Sequence, residues 1–333
     1  MLKFGLIGAG RIGRIHGDNV VARRDAQLVA VTDASPEVAS VYAREVDAQA
    51  MDIQELLDRS DIEAVLICSP TDTHADYIER AATAGKAVFC EKPIDLSSER
   101  VRKLLDVVES LKPPIMIAFN RRFDPSLAEM QRRVAGGEIG EVEIISIVSR
   151  DFTAPPVSYV ERSGGLFRDM MIHDLDMARF LFGEEPVEVQ AYGSSLVDSD
   201  IGKAGDVDTA IVQMKTASGK LCQISNSRRA TYGYDQRMEV FGSLGMVRSG
   251  NYHKTAVEIS LAGGITHDPL KEFFLQRYED AYRAELDAFI EVIKGNRPLT
   301  PSLYDGLRAQ LIADAATESW KIGRPVKIPT GRG

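Results

Sequence analysis

Five short apolar runs punctuate the first 120 residues: KFGLIG (3–8), LVAVTD (28–33), AVLICS (64–69), AVFCE (87–91) and IMIAF (115–119). Each is too short for a helix and apolar almost throughout, as a strand covered on both faces must be. Amphipathic stretches such as DTHADYIERAATAG and SERVRKLLDVVESL lie between them. Strand and helix in alternation leave few solutions. The expected fold is α/β, beginning with a doubly wound parallel sheet of the Rossmann type.

After Asn120 the pattern changes. EVEIISIVSRD, DTAIVQMKTASGKLCQISNSRR and MEVFGSLGMVRSG read as longer strands joined by tight turns, with Ser218-Gly219 and Leu244-Gly245 at the tips. Such hairpins build an antiparallel or mixed sheet. Two helices are expected to follow. One runs roughly from 272 to 294, with Leu275, Tyr278, Tyr282, Leu286, Phe289 and Ile293 at helical spacing. The other, roughly 302–321, is a candidate to pack back on the first domain. A chain of 333 residues exceeds the usual single core, so two domains are expected: 1–120, and 121–333 as an α+β domain.

Charge and cysteine usage narrow the partners. The 40 basic and 49 acidic side chains give a net charge of −9 with no basic block, which argues against nucleic acid or an anionic membrane. No run approaches the ~18 apolar residues of a membrane span. Cys68, Cys90 and Cys222 lie in apolar runs and form no CxxC pair. A disulfide framework is not suggested, and a reducing cytoplasm is the expected location.

The turn GLIGAGRIG carries Gly8, Gly10 and Gly13 directly after the first strand. In this arrangement the first glycine makes the turn, the second admits a pyrophosphate, and the third lets helix and strand pack closely. The following helix offers free N–H groups and a partial positive charge, here at Arg11 and Ile12. Asp33 ends the second strand, placed to accept hydrogen bonds from ribose hydroxyls. It would repel a 2′-phosphate by roughly 4 kcal/mol for unit charges 4 Å apart at an effective dielectric near 20. The expected cofactor is therefore NAD rather than NADP, with Arg11 the cation able to offset that preference.

In open α/β sheets ligands sit beyond the carboxyl ends of the strands. Those ends read CSPTDTH (68–74), CEKP (90–93) and then Asn120. Ser69, Pro70, Thr71, His74, Glu91, Lys92 and Asn120 are the expected cofactor-lining residues. Further on, in SGGLFRDMMIHDLDMARFLFG (163–183), Asp169, His173 and Asp176 are four and then three residues apart. On a helix that spacing aligns them on one face. A neutral imidazole suits the proton-accepting half of an alcohol oxidation, and a carboxylate one turn earlier can fix its tautomer. A lone Asp-x-x-x-His pair also invites a metal. With no HExxH, no paired cysteines and only five histidines, no metal site is expected. Asp176 has two readings, a substrate contact or a network with Arg179 or Arg168.

GAGRIG, FCEKPI, FNRRFDP, SGGLFRDMMIHDLDMARFLFGEEP and SRRATYGYDQRMEVFGS together resemble the glucose–fructose oxidoreductase and inositol dehydrogenase family along essentially the whole chain. The narrower segments point to its inositol branch. The resemblance implies a C-terminal domain with a large, open, mostly antiparallel sheet that mediates assembly into homotetramers. It implies NAD-dependent oxidation of myo-inositol at C2 to the 2-keto product, with Lys92, Asp169 and His173 as the catalytic group. A polyol needs many polar partners once water is excluded. Arg121, Asp151, Asp176 and Tyr234 are the substrate contacts that the resemblance favours, with Phe274 and Tyr282 as walls. Two other readings stay open: action on another inositol isomer or an aldose, and a non-catalytic NAD-sensing regulator.

Overall fold

The computed structural model describes residues 1–111 and 113–331. In chain order the elements begin β1 (Leu2–Ile7), α1 (Arg11–Val21), β2 (Ala26–Thr32), α2 (Pro36–Glu45), β3 (Gln49–Ala50), α3 (Ile53–Asp58) and β4 (Ala64–Ile67). Next come α4 (His74–Thr83), β5 (Ala87–Cys90), α5 (Ser98–Glu109), β6 (Ile115–Ile117) and α6 (Pro125–Ala135). The middle of the chain forms β7 (Val142–Arg150), α7 (Val157–Ser163), α8 (Gly165–Asp169), α9 (Ile172–Phe182), β8 (Pro186–Ser194) and α10 (Ser199–Lys203). It continues as β9 (Thr209–Thr216), β10 (Leu221–Ser227), β11 (Asp235–Gly242), β12 (Gly245–Ser249), β13 (Glu258–Leu261) and β14 (Gly264–His267). The last elements are α11 (Phe274–Arg277), α12 (Glu279–Ile293), α13 (Leu303–Ile322) and β15 (Val326–Lys327).

Two compact units result, one of residues 1–123 with 280–308, the other of 124–279 with the chain after 308. The first holds a six-stranded parallel sheet in the order β3-β2-β1-β4-β5-β6. The order reverses at β1, and ligands of open sheets bind where that reversal opens a crevice. Its core joins Phe4, Leu6, Leu28, Leu66 and Phe89 to Leu286, Phe289 and Ile290 of α12. Chain order had allotted those α12 residues to the second domain. Their apolar face is instead buried against the parallel sheet's core.

The second unit is built on a seven-stranded sheet, β12-β11-β7-β10-β9-β8-β15. All its pairings are antiparallel except β7 with β10, so the sheet is mixed and mostly antiparallel. Alternation sorts its faces: Ile145, Ile147, Val189, Val212, Ile224 and Val240 enter a core with Leu175, Met177, Ala178 and Leu181 of α9. The hairpin of β11 and β12 turns at Ser243-Leu244, one residue earlier than the sequence suggested. The expected 272–294 helix is divided into α11 and α12.

Candidate active site

The first unit gathers its polar residues at one edge. Gly8 follows β1, Asp33 follows β2, Ser69 follows β4, Glu91 and Lys92 follow β5, and Asn120 follows β6. The strands are parallel, so all six residues lie at the carboxyl edge of one sheet. Gly8 has φ +95°, and a Cβ there would meet Ser69 N at 2.6 Å. A Cβ on Gly13 would sit 1.9 Å from the Gly8 carbonyl oxygen. At Gly10 the situation is reversed: a Cβ would meet nothing within 4 Å, and the residue caps α1 with no side-chain acceptor. Two glycines are thus required by the chain's own backbone, while the third leaves the helix N-terminus open.

Asp33 is pinned where the ribose is expected. Its Oδ2 accepts from Ala9 N at 2.8 Å and its Oδ1 from Ser35 N at 2.9 Å. A carboxylate with one bond on each oxygen retains lone pairs for a ribose diol. An open turn, a helix N-terminus and a fixed anion fit the pyrophosphate and ribose of NAD. Arg11 is exposed on that turn and Ile12 is half-buried.

Next to it, Ser69 Oγ and Thr73 Oγ1 are 2.7 Å apart, and Pro70 caps a 3-10 turn that Thr71 opens before α4. His74 faces inward instead. It is 2% exposed, with Nδ1 2.7 Å from the Pro93 carbonyl oxygen and Nε2 2.7 Å from that of Ser69. The sequence reading placed His74 on the cofactor; the ring's two nitrogens both face backbone. Glu91 is buried with Oε1 2.8 Å from His16 Nε2, and Lys92 beside it is half-buried. Asn120 and Arg121 are buried in a 3-10 turn, where Arg122 donates to Asp305 at 3.0 Å. Tyr282, expected as a substrate wall, is 6% exposed and packs its ring 5.7 Å from His16.

In the second unit the expected long helix through 163–183 is broken. Leu166 O accepts from both Met170 N (3.1 Å) and Met171 N (2.9 Å), a doubled bond that ends α8 at Asp169 and restarts the helix at Ile172. Asp169 and His173 therefore stand on successive short helices. Tyr159 of α7 donates to Asp169 Oδ1 at 2.9 Å, and Arg228 Nη2 lies 3.6 Å from Oδ2. Burial and the Asp169 charge push the Tyr159 phenol well above its usual range, so it is a hydroxyl donor at all physiological pH. Sequence reasoning missed both partners. Arg228, 1% exposed at the end of β10, was visible only as one of two arginines in SRR.

His173 is half-buried in the first turn of α9. Asp176 is fully buried, with Arg179 Nη1 3.4 Å from its Oδ1. Arg179 also grips Glu185, with Nη2 to Oε1 at 2.6 Å. The aspartate between the two, Asp174, escaped the sequence reading. It accepts from Ser149 Oγ (2.6 Å) and Asn226 Nδ2 (2.8 Å), fastening α9 to the inner face of β7 and β10. Asp151 directly follows β7, its N–H donating to Ser227 O at 2.9 Å. Tyr234 is 7% exposed, its ring edge-on to Tyr278 at 6.2 Å. Phe274 stacks on Phe273 at 4.4 Å. Among the described residues no cluster of three or more His, Cys, Asp or Glu is arranged to hold a metal ion.

A Rossmann sheet with an open glycine turn and a fixed carboxylate at the end of its second strand is the fold of a nicotinamide-dependent oxidoreductase, and the second unit carries a braced carboxylate and an imidazole. The chain belongs to the GFO/IDH/MocA oxidoreductase family. Residues 2–119 match its NAD-binding Rossmann fold and residues 131–328 its C-terminal alpha/beta domain. It is 52% identical, over 98% of its own length and 99% of the relative's, to the inositol 2-dehydrogenase of Rhizobium meliloti (strain 1021). The crystal structure of a myo-inositol dehydrogenase from Corynebacterium glutamicum ATCC 13032 matches at a TM-score of 0.95 and 42% identity, covering 99% of this chain and 100% of that one. That of a myo-inositol dehydrogenase from Lactobacillus casei, in complex with NAD(H) and myo-inositol, matches at 0.89 and 26% identity over 99% and 98%.

Proposed function

We propose that this chain is an NAD-dependent inositol 2-dehydrogenase, oxidising myo-inositol at C2 to 2-keto-myo-inositol. The observation that carries the reading is the near-full-length, 52% identity to an inositol 2-dehydrogenase. Lys92, Asp169 and His173 stand intact beside it. Bound NAD supplies the hydride acceptor; the protein's side chains manage the proton. His173 takes the proton of the reacting hydroxyl. Asp169, braced by Tyr159 and Arg228, orients the imidazole and offsets the positive charge it gains. Lys92 donates to the substrate oxygen and stabilises alkoxide character. Arg121, Asp151, Asp176 and Tyr234 bind the remaining hydroxyls.

Initial rates with myo-, scyllo- and chiro-inositol and with glucose, each with NAD and NADP, test this reading. The expected result is highest kcat/KM for myo-inositol with NAD. Turnover of glucose without any inositol would overturn the substrate, and NAD binding without turnover of any polyol would favour a sensing role.

The open face of the second sheet supports a homotetramer. Leu221, Ile144, Phe241 and Met246 pair across β10, β7, β11 and β12 and are each 41–49% exposed, with Tyr192 and Ile211 continuing the face. Exposed apolar residues gathered on one sheet face in this way mark an association surface. A cytoplasmic location accords with three free, buried cysteines and with the finding that no described helix is long and apolar enough to cross a membrane.

A further inference from the structure

The segment Glu91-Lys92-Pro93 is held on both flanks by a buried histidine. On one side His16, fully buried in α1, sets its Nε2 2.8 Å from Glu91 Oε1. The ring packs edge-on between Phe89 (4.9 Å) and Tyr282 (5.7 Å). Glu285 of α12, also fully buried, places Oε1 3.9 Å from the same Nε2. On the other side His74 sits at the start of α4 between the carbonyls of Pro93 and Ser69, both at 2.7 Å. An imidazole carries one N–H when neutral and two when protonated, so in either state it donates to at least one of them. The Glu91 N–H is itself bonded to Ile67 O at 2.9 Å.

Ordinary packing does not call for this. Burying two histidines and two carboxyl groups costs stability unless every polar atom is paired. Both oxygens of Glu285 and the Nδ1 of His16 lack a hydrogen-bond partner. An apolar core would fill the same space more favourably. What the arrangement gains is restraint: the residues on either side of Lys92 are each tied to a different helix.

We propose that His16 and His74 are positioning residues for Lys92, fixing its backbone through Glu91 on one flank and Pro93 on the other. The inference rests on the reading of Lys92 as a catalytic residue. A misplacement of about 1 Å at a reacting group costs up to about 10²-fold in rate, so loosening either flank lowers turnover more than cofactor binding.

The test is a pair of double-mutant cycles on the full-length protein, with kcat and KM for myo-inositol, NAD affinity and thermal melting measured for each variant. His74→Phe and His16→Leu should each lower kcat about tenfold or more, with NAD affinity within about threefold of wild type. His74→Gln and His16→Gln, which keep a donor, should recover most of the loss. On a Lys92→Met background the same histidine substitutions should have almost no further effect on kcat, because they act through that lysine. Effects that multiply in full on the Lys92→Met background would overturn the positioning role. If Phe or Leu abolishes the cooperative melt, the glutamine variants carry the cycles, and wild-type kcat in Gln forms that have lost the Glu91 or Pro93 contact by crystallography would equally overturn it. Wild-type kcat in Lys92→Met alone would instead refute the reading of the lysine.

Discussion

The glycine turn of the first unit and the Asp169–His173 segment of the second solve different problems by different means. Around Gly8, Gly10 and Gly13 the determinants are local. Each glycine is demanded or permitted by backbone within the same strand–turn–helix or its neighbouring strand, and a helix N-terminus is the proposed seat of the pyrophosphate. Around Asp169 the determinants are side chains on separate elements. Its partners come from α7 and from the end of β10, while α9 is fastened to the sheet through Asp174, Ser149 and Asn226. A pyrophosphate needs an accessible row of N–H groups, which backbone supplies. A proton transfer needs a side chain held in one orientation, which requires partners from elsewhere in the fold.

The contrast is open to attack. The largest effect is expected for Gly13→Ala: with its Cβ 1.9 Å from the Gly8 carbonyl oxygen, backbone must shift, and NAD binding should be lost in a titration of cofactor fluorescence. Retained affinity would show that the turn tolerates rearrangement. Arg228→Met removes the buried cation 3.6 Å from Asp169. It should lower turnover about tenfold with NAD affinity unchanged, while Arg228→Lys retains most activity. A fall in NAD affinity would show that the two regions are not separable in this way. The smallest effect is expected for Asp33→Ala. Removing two hydrogen-bond acceptors for the ribose should weaken NAD severalfold and narrow the preference over NADP. Unchanged cofactor selectivity would assign that preference to another residue, with Arg11 the first to examine.

The same contrast explains what the sequence disclosed. The parallel sheet, the glycine turn and the place of Asp33 at the end of the second strand were legible because strand, turn and helix succeed one another within 35 residues and each leaves a periodic or compositional mark. The broken helix was not, because apolar spacing through 163–183 is compatible with a continuous helix. The break depends on one carbonyl, Leu166 O, accepting two bonds. Arg228 and Tyr159 were missed because nothing near them in the chain refers to Asp169. His74 was placed at the correct strand end, yet its contacts depend on Pro93 O, which only the folded sheet brings near. The α12 residues of the first core were hidden because an amphipathic helix advertises that it will be buried, not against which sheet.

The central claim is that cofactor binding resides in the glycine turn and proton transfer in His173. It is tested most directly by measuring both functions on one variant, His173→Ala, at neutral pH. Turnover of myo-inositol should fall by about 10² or more while NAD affinity stays within about twofold of wild type. Turnover at the wild-type rate, or a loss of NAD affinity that accounts for the whole defect, would contradict the account.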